Sequence, residues 1–365
     1  MENLSCKSLK FTLFSDLHYK KGMYPATVSD LRKILDRADA TESDFILSAG
    51  DMWNDLGGSP ELRNTYFCHF SPNGELLPAY NIYGNHELES DTMEFVNAFL
   101  TNDRNVIWGS EDGTYQSDIG YYYFEKNGFR IICLDSQYSY QPQRDEYEHS
   151  HAYSWGAPEG NLYEGSLGPK QLEWLESVLN DAALKGRTCI VVSHHGVSDL
   201  FLSTCPDRKK IREIFKKANT LKAGTVLMAI NGHEHTSHCG FFEDVFYLEI
   251  NTVLNGNNVD HRVEYGDEHV YRYEEYDDSG NLKNTYMQSY NALSWKRCYY
   301  FNSPLCAVVT VTDTGTITVE GSETDWAYGI VPENPIDGKM PRTVSGIFKK
   351  ESVLSKRKNL CCKQK

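Results

Sequence analysis

Five short apolar runs in this chain each end directly in polar side chains of the kinds that bind metals or transfer protons. The runs lie at residues 9–14, 45–49, 76–83, 189–193 and 225–231. The polar blocks that follow them are Ser15-Asp16-Leu17-His18, Gly50-Asp51, Gly84-Asn85-His86-Glu87, His194-His195-Gly196 and Gly232-His233-Glu234-His235. Apolar runs of this length, bounded by turn residues, are typical of buried β-strands. The sequence therefore predicts five strands that each end in side chains suited to metal binding or acid–base chemistry.

Two amphipathic helix patterns lie between these runs. Residues 27–40 and 168–186 each repeat apolar side chains at helical spacing, and Pro169 suits the first turn of the second helix. The apolar faces are Val28, Leu31, Ile34, Leu35 and Ala38 in the first helix and Leu172, Leu175, Val178 and Leu179 in the second. Strands alternating with helices predict an α/β fold, in which the loops at the carboxyl ends of the strands form the binding crevice.

Turn signals and composition predict one domain over residues 1–342. Asn127-Gly128 and Asp313-Thr314-Gly315 each indicate a β-hairpin, and the second suggests that strands after residue 300 return to the same body. Residues 255–300 are rich in Tyr, Asn, Asp and Glu without clear periodicity, and we interpret them as an insertion. Residues 343–365 are basic and polar and predict a disordered tail.

Charge and cysteine content exclude several classes of function. The 365 residues carry a net charge of −15, which argues against general nucleic-acid binding because phosphate backbones are bound by clustered Lys and Arg. The ten cysteines form no CxxC pair, which is typical of reduced thiols in a cytosolic protein. We find neither a signal peptide nor an apolar window long enough to span a bilayer, and we expect a cytoplasmic location.

Each polar block taken alone could be an ordinary polar turn or part of a metal site. His233 and His235 illustrate the choice, because alternate residues of an extended segment can reach two different ions. The order of all five blocks, over roughly residues 9 to 250, resembles the calcineurin-like metallophosphoesterase superfamily. The resemblance implies a β-sandwich flanked by helices, in four layers arranged αββα, and a centre that holds two divalent metal ions.

The resemblance also implies a role for each matching residue. One ion would be held by Asp16, His18 and His235, the other by Asn85, His194 and His233, and Asp51 would bridge both. These ligand types suit Mn, Fe, Co, Ni or Zn. A hydroxide shared by the ions would attack phosphorus, while His86 protonates the leaving oxygen. The expected activity is hydrolysis of a small phosphorylated substrate, either a phosphodiester or a phosphomonoester.

Several positions separate this chain from parts of the superfamily. Gly196 stands where a proline usually follows the ligand histidine by two positions, which assigns the ligand role to His194 and leaves His195 to support it or to face substrate. His238 matches no ligand position and is interpreted as a surface or loop histidine. The stretch GDMWNDL departs from the GDxVDRG block of the protein phosphatases, and Asn54 replaces the tyrosine of the purple acid phosphatases. The alternative function is a metal-binding scaffold of the same fold without catalysis. Neither the substrate nor the oligomeric state can be inferred from the sequence.

Overall fold

The structure is a computed structural model, and it describes residues 7–19, 26–54, 60–87, 99–141, 146–149, 165–200, 205–256, 270–276, 282–289, 299–327 and 340–349. Its helices are α1 Val28–Ala40, α2 Pro60–Phe67, α3 Gly168–Lys185 and α4 Arg208–Leu221. Its strands are β1 Ser8–Phe14, β2 Phe45–Ser48, β3 Ala79–Asn81, β4 Ile107–Trp108, β5 Tyr122–Lys126, β6 Phe129–Cys133, β7 Tyr138–Gln141, β8 Glu146–His149, β9 Thr188–Val192, β10 Val226–Asn231, β11 His238–Phe242, β12 Val245–Glu249, β13 Asn255–Gly256, β14 Val270–Tyr276, β15 Leu282–Ser289, β16 Tyr299–Tyr300, β17 Ala307–Thr312, β18 Thr316–Gly321 and β19 Gly346–Lys349.

Two large mixed sheets contain most of these strands. The first sheet has the order β19-β18-β17-β1-β2-β3, in which β1, β2 and β3 run parallel and the other three are antiparallel to their neighbours. The second has the order β11-β12-β10-β9-β6-β5-β4, with a parallel centre of β6, β9, β10 and β12. The predicted hairpins are confirmed, because β5 pairs with β6 and β17 pairs with β18.

The second sheet buries both of its faces. Along β9 and β10, Ile190, Val192 and Ile230 join the core that also contains Phe11 and Leu13 of the first sheet. The intervening residues face the opposite way into a second core, which they share with side chains of α3 and α4. Because successive side chains of a strand point to opposite faces, this alternation places the first sheet on one side and the two helices on the other. With α1 packed on β1 and β2, the predicted four-layer αββα sandwich is confirmed.

Local sequence explains where α1 begins and where α3 begins and ends. Thr27 caps α1, since its hydroxyl accepts from the Asp30 N–H while the Asp30 carboxylate accepts from the Thr27 N–H. The α3 helix has Pro169 in its first turn and ends at Gly186, whose φ of 66° belongs to the left-handed region that favours glycine. The apolar faces predicted for both helices are buried, except that Leu172 is only partly covered.

The C-terminal segment differs from its prediction. The prediction of a disordered tail from residue 343 onward is wrong for residues 346–349. These residues form β19, which pairs with β18 at the edge of the first sheet. Thr343 is also fully buried. Basic residues such as Lys349 are compatible with an edge strand, where lysine discourages pairing with other chains. Residues 350–365 lie outside the described part of the chain.

The predicted insertion at about 255–300 is described only in part. It contains the antiparallel pair β14–β15 and the pair β13–β16. After it the chain returns to the first sheet, where β17 pairs with β1. Within the described residues, none of the helices combines the length and the apolar character that a membrane crossing needs.

Candidate metal centre

The carboxyl ends of β1, β2, β3, β9 and β10 converge at one edge of the sandwich. Backbone hydrogen bonds join the loops within the first sheet, where the Asp16 N–H donates to Gly50 O and the His18 N–H to Asp51 O, each at 2.9 Å. A second set of contacts joins the two sheets, because the Thr252 hydroxyl donates to the Asp16 carbonyl at 2.6 Å. The polar blocks that follow these strands are thereby held against one another.

The first cluster of side chains consists of Asp16, His18 and His235. The Nε2 atoms of the two histidines lie 2.9 Å apart, and Asp16 Oδ1 lies 3.2 Å from His235 Nε2 and 3.7 Å from His18 Nε2. All three residues are buried, and Asp16 Oδ1 accepts no hydrogen bond from any described residue. Three ligand atoms this close together could hold one metal ion.

The second cluster consists of Asn85, His194 and His233. Asn85 Oδ1 lies 3.2 Å from His194 Nε2 and 3.0 Å from His233 Nδ1, and the two ring nitrogens are 3.3 Å apart. His194 and His233, together with Asp51, could also hold a metal ion.

Asp51 lies between the two clusters. Its Oδ2 atom is 3.3 Å from His194 Nε2 in the second cluster and 3.8 Å from His18 Nε2 in the first. Its other oxygen accepts from the His86 backbone N–H at 2.8 Å. Gly84 permits this approach, because a Cβ atom there would lie only 2.0 Å from Asp51 Oδ1. One carboxylate thus faces both potential metal sites.

The tautomers that the surroundings favour suit metal binding. His194 Nδ1 is 2.8 Å from the Ala49 carbonyl, which can only accept, so Nδ1 carries the proton and Nε2 presents its lone pair to the cluster. His18 Nδ1 is 2.9 Å from Asn54 Oδ1, which has the same consequence for His18 Nε2. Imidazole lone pairs, carboxylate oxygens and an amide oxygen therefore point at one another, an arrangement that a bound cation would satisfy. The residues fit a pair of divalent ions.

The backbone at this edge is held in an unusual conformation. Five of the residues that form the two clusters and their bridge have φ between 49° and 72°, in the left-handed region: Asp16, His18, Asp51, His233 and His235. Such conformations are costly for residues other than glycine and persist where surrounding contacts impose them. The loops turn sharply after each strand, which aims the side chains into a shared space.

A sequence model of the family described as calcineurin-like phosphoesterase matches residues 9–237. The chain belongs to the calcineurin-like phosphoesterases. No curated protein sequence matches it significantly. The family resemblance inferred from the five polar blocks is therefore confirmed, and the matched region contains both clusters.

Two solved structures are similar to this chain. A dimetal phosphatase from Danio rerio is 14% identical, with 86% of this chain and 95% of that chain covered and a TM-score of 0.52. GAP50 of Plasmodium is 11% identical, with 94% of this chain and 90% of that chain covered and a TM-score of 0.43. At this level of identity the first likeness shows a shared fold.

The charges in the candidate centre shift one another's pKa values strongly. Burial alone would lower the pKa of His194, but the adjacent Asp51 carboxylate outweighs it and raises that pKa to about 10. Burial alone would raise the pKa values of Asp16 and Asp51, yet the neighbouring histidines hold both well below their usual range. Burial and the charge on His194 lower the pKa of His233 to about 3. A centre that holds a proton this tightly on His194 would exchange it for a divalent ion.

Glu87 connects two of the loops in this centre. It is fully buried, and its carboxylate accepts backbone N–H bonds from Asp51 at 3.0 Å, Met52 at 2.6 Å and Gly84 at 2.7 Å. Burial and the charge of Asp51 raise the pKa of Glu87 to about 8. The structure shows that Glu87 fixes the loop that carries Asp51 against the loop that carries Asn85.

His86 lies beside both clusters and faces a more open space. Its Nε2 atom is 3.8 Å from Asp51 Oδ2, and its side chain is 17% exposed, whereas that of His194 is fully buried. Its Nδ1 atom is 2.8 Å from Asn54 Nδ2. An amide nitrogen can only donate, so Nδ1 accepts and the proton of a neutral His86 is on Nε2. His86 can therefore offer a proton toward the space beside Asp51.

Two further histidines of the described residues, His195 and His238, are placed differently from the ligand candidates. His195 is buried, and its Nδ1 atom lies 2.8 Å from the Ser136 hydroxyl, with its ring 4.3 Å from the His233 ring between centroids. Its contacts are those of a residue that supports His194 and His233. His238 begins β11 and is partly buried, so it is a strand residue, whereas we expected a surface or loop histidine.

Sequence reasoning missed three residues that shape the centre. Asn54 contacts both His18 and His86, a role that its position three residues after Asp51 does not indicate. Thr252 binds the Asp16 carbonyl and Ser136 binds His195. The latter two stand outside the five polar blocks, and no local pattern marks them.

Proposed function

We propose that this chain is a binuclear metal-dependent phosphoesterase that hydrolyses a small phosphorylated substrate. Asp16, His18 and His235 would hold one divalent ion, the other ion would be held by the second cluster, and Asp51 would bridge the two. The observation that carries the proposal is the convergence of two ligand clusters on one shared carboxylate. The second cluster is Asn85, His194 and His233.

The charge of the occupied centre supports an anionic substrate. Two divalent ions outweigh the two carboxylates, Asp16 and Asp51, and leave a locally positive site in a chain whose net charge is −15. A bound ion can reverse the local sign of the potential in this way. A phosphoester anion would be attracted to the centre while being repelled by much of the remaining surface.

Divalent ions bound here would supply a nucleophile from water at neutral pH and stabilise negative charge on the phosphoryl oxygens. The protein's own contribution includes a proton for the leaving oxygen. His86 is suited to that role because its Nε2–H lies beside Asp51 and its side chain is partly exposed. General acid catalysis of this kind contributes about 10²- to 10⁴-fold to a rate.

A direct test combines metal analysis with a substrate panel. The purified protein is analysed for bound metals, then reconstituted separately with Mn, Fe, Co, Ni and Zn and assayed on aryl phosphomonoesters, aryl phosphodiesters and nucleotides. We expect about two ions per chain and hydrolysis that depends on them. Binding of ions without hydrolysis of any substrate would favour a metal-binding scaffold, and absence of bound ions under every condition would contradict the proposal.

A further inference from the structure

One side chain, Asn54, contacts a histidine of the first cluster and the histidine beside the centre. Its amide oxygen lies 2.9 Å from His18 Nδ1 and its amide nitrogen lies 2.8 Å from His86 Nδ1. The two rings stand edge to face with centroids 4.9 Å apart. Asn54 is 2% exposed, and its backbone N–H donates to the Tyr19 carbonyl at 3.0 Å. The amide is therefore held firmly between two imidazoles.

An amide has one accepting end and one donating end, so Asn54 accepts a hydrogen bond from one ring and donates one to the other. His18 has its Nε2 atom 2.9 Å from His235 Nε2 and 3.7 Å from Asp16 Oδ1. The Asn54 amide oxygen beside His18 Nδ1 can only accept, so the proton of a neutral His18 is on Nδ1 and the Nε2 lone pair faces the cluster. This orientation of the amide turns its nitrogen toward His86, 2.8 Å from His86 Nδ1.

The donating end then determines the state of His86. Its Nδ1 atom must accept from the Asn54 amide, so the proton of the neutral ring is on Nε2, which is 3.8 Å from Asp51 Oδ2. Rotating the amide by half a turn would reverse both assignments at once. The states of His18 and His86 are thus coupled through a single side chain.

We propose that Asn54 is a positioning residue that holds His18 and His86 in opposite tautomers, with the proton on Nδ1 in His18 and on Nε2 in His86. One ring then presents a lone pair and the other a proton to the same centre. The use of these two states in metal binding and proton donation rests on the proposed function, whereas the tautomers themselves do not.

The chemistry of asparagine matters here more than its volume. An aspartate at position 54 has nearly the same shape but only accepts, so it would keep the bond to His18 and require a proton on His86 Nδ1. A leucine would remove both bonds. Asn54→Asp and Asn54→Leu therefore separate the His86 contact from the His18 contact. Asn73→Asp, on an exposed turn where the oxygen of residue 73 accepts from the Glu75 N–H at 2.9 Å, is a matched control for the added charge.

The first readout is the protonation of the ring nitrogens. Protein labelled with ¹⁵N-histidine is examined by NMR over a series of pH values, and the His86 signals are assigned by their loss in His86→Gln. In metal-free wild-type protein and in Asn73→Asp we expect His86 to carry its proton on Nε2. In Asn54→Asp we expect a proton on Nδ1. A wild-type His86 with its proton on Nδ1, or a pattern unchanged in Asn54→Asp, would overturn the proposal.

The second readout is metal affinity, measured by Zn²⁺ titration. Asn54→Leu should lower the affinity for one of the two ions by about 10- to 100-fold, because it removes a partner that orients a metal ligand. Asn54→Asp should preserve both affinities, because an acceptor for His18 remains. Equal weakening in both variants would indicate a packing role and would contradict the proposal. If Asn54→Leu fails to fold, the wild-type and Asn54→Asp spectra still decide the question.

The two proposals fail in distinguishable ways. A protein that binds no ions and hydrolyses nothing, yet shows the opposite tautomers in its metal-free spectra, would refute the phosphoesterase activity and retain the role of Asn54. An active enzyme whose His86 pattern does not respond to Asn54→Asp would retain the activity and refute the positioning role.

Discussion

The two sheets contribute different chemistry to the edge where they meet. The first sheet supplies both carboxylates, the amide and one imidazole, from the loops after β1, β2 and β3. The second sheet supplies only imidazoles, from the loops after β9 and β10. The two sets are Asp16, His18, Asp51 and Asn85 on one side and His194, His233 and His235 on the other.

Each cluster draws on both sheets. His235 completes the cluster of Asp16 and His18, and Asn85 completes the cluster of His194 and His233. An ion bound in either cluster would therefore cross-link the two layers of the sandwich. Each of the two proposed clusters therefore needs ligands from both sheets, and this division separates substitutions that affect the shared carboxylate from those that affect one side.

The largest effect is expected from Asp51→Asn. The substitution preserves the shape of the side chain but removes the negative charge that faces both clusters, at 3.3 Å from His194 Nε2 and 3.8 Å from His18 Nε2. We expect kcat/KM for an aryl phosphodiester to fall by at least about 10³-fold, or roughly 4 kcal/mol of transition-state stabilisation. Asp112→Asn in an exposed turn serves as the control. Turnover near that of wild type would exclude the bridging role.

His86→Gln should separate proton donation from metal binding. His86 is absent from the ligand sets proposed above, so we expect both metal affinities to be unchanged while kcat falls by about 10²-fold or more on a substrate with a poor leaving group. With p-nitrophenol as the leaving group the loss should be much smaller, because that oxygen needs little protonation. Asp51→Asn should reduce both reactions alike. Equal losses on both substrates in His86→Gln would rule out the proton-donor role.

Removal of the ions tests whether they link the sheets. A ligand that binds only the folded chain stabilises it by about 2.7 kcal/mol when present at 100 times its Kd. We expect urea denaturation to show a loss of this size for each ion removed by a chelator. His194→Gln should retain about half of the metal-dependent stabilisation, since the cluster of Asp16, His18 and His235 stays intact. Identical stability with and without the chelator would contradict the cross-link.

The strand ends and the apolar helix faces could be predicted because they depend on local signals, whereas the four-layer sandwich was predicted from the family resemblance. Asp51 and His194 follow apolar runs directly, and the Asn127-Gly128 turn fits a hairpin whatever surrounds it. The family pattern then connected the separate blocks. These features require only residues that are neighbours in the chain.

The supporting residues could not be predicted because their roles depend on distant contacts. Glu87 accepts N–H groups from a loop more than thirty positions away, and Thr252 binds the carbonyl of Asp16 across 236 positions. The left-handed φ of His233 likewise depends on the loops packed around it. The strand β19 was missed for a similar reason, since a basic composition is compatible both with disorder and with an exposed edge.

The stability of the metal-free protein should also change with pH. Folded His194 has a pKa of about 10, above the ordinary 6.5, so it contributes stability fully below about pH 6.5 and loses that contribution as the pH rises toward 10. The pKa of folded Glu87 is raised to about 8, so Glu87 also makes the free energy of unfolding fall as the pH rises, until the pH reaches about 8. Asp51, whose pKa is lowered, stays ionised throughout this range and contributes no slope.

Between about pH 7 and pH 8.5 we therefore expect the free energy of unfolding in chelator to fall by up to about 1.4 kcal/mol per pH unit for each of these two groups. The measurement is urea denaturation at several pH values, and His194→Gln should flatten the slope. With excess Zn²⁺ the direction should reverse, because an ion that replaces the His194 proton binds more tightly as the pH rises. A metal-free slope that is unchanged in His194→Gln would show that the strong pull of Asp51 on this histidine does not exist in solution. The imidazole side of the centre would then be electrostatically independent of the carboxylate side.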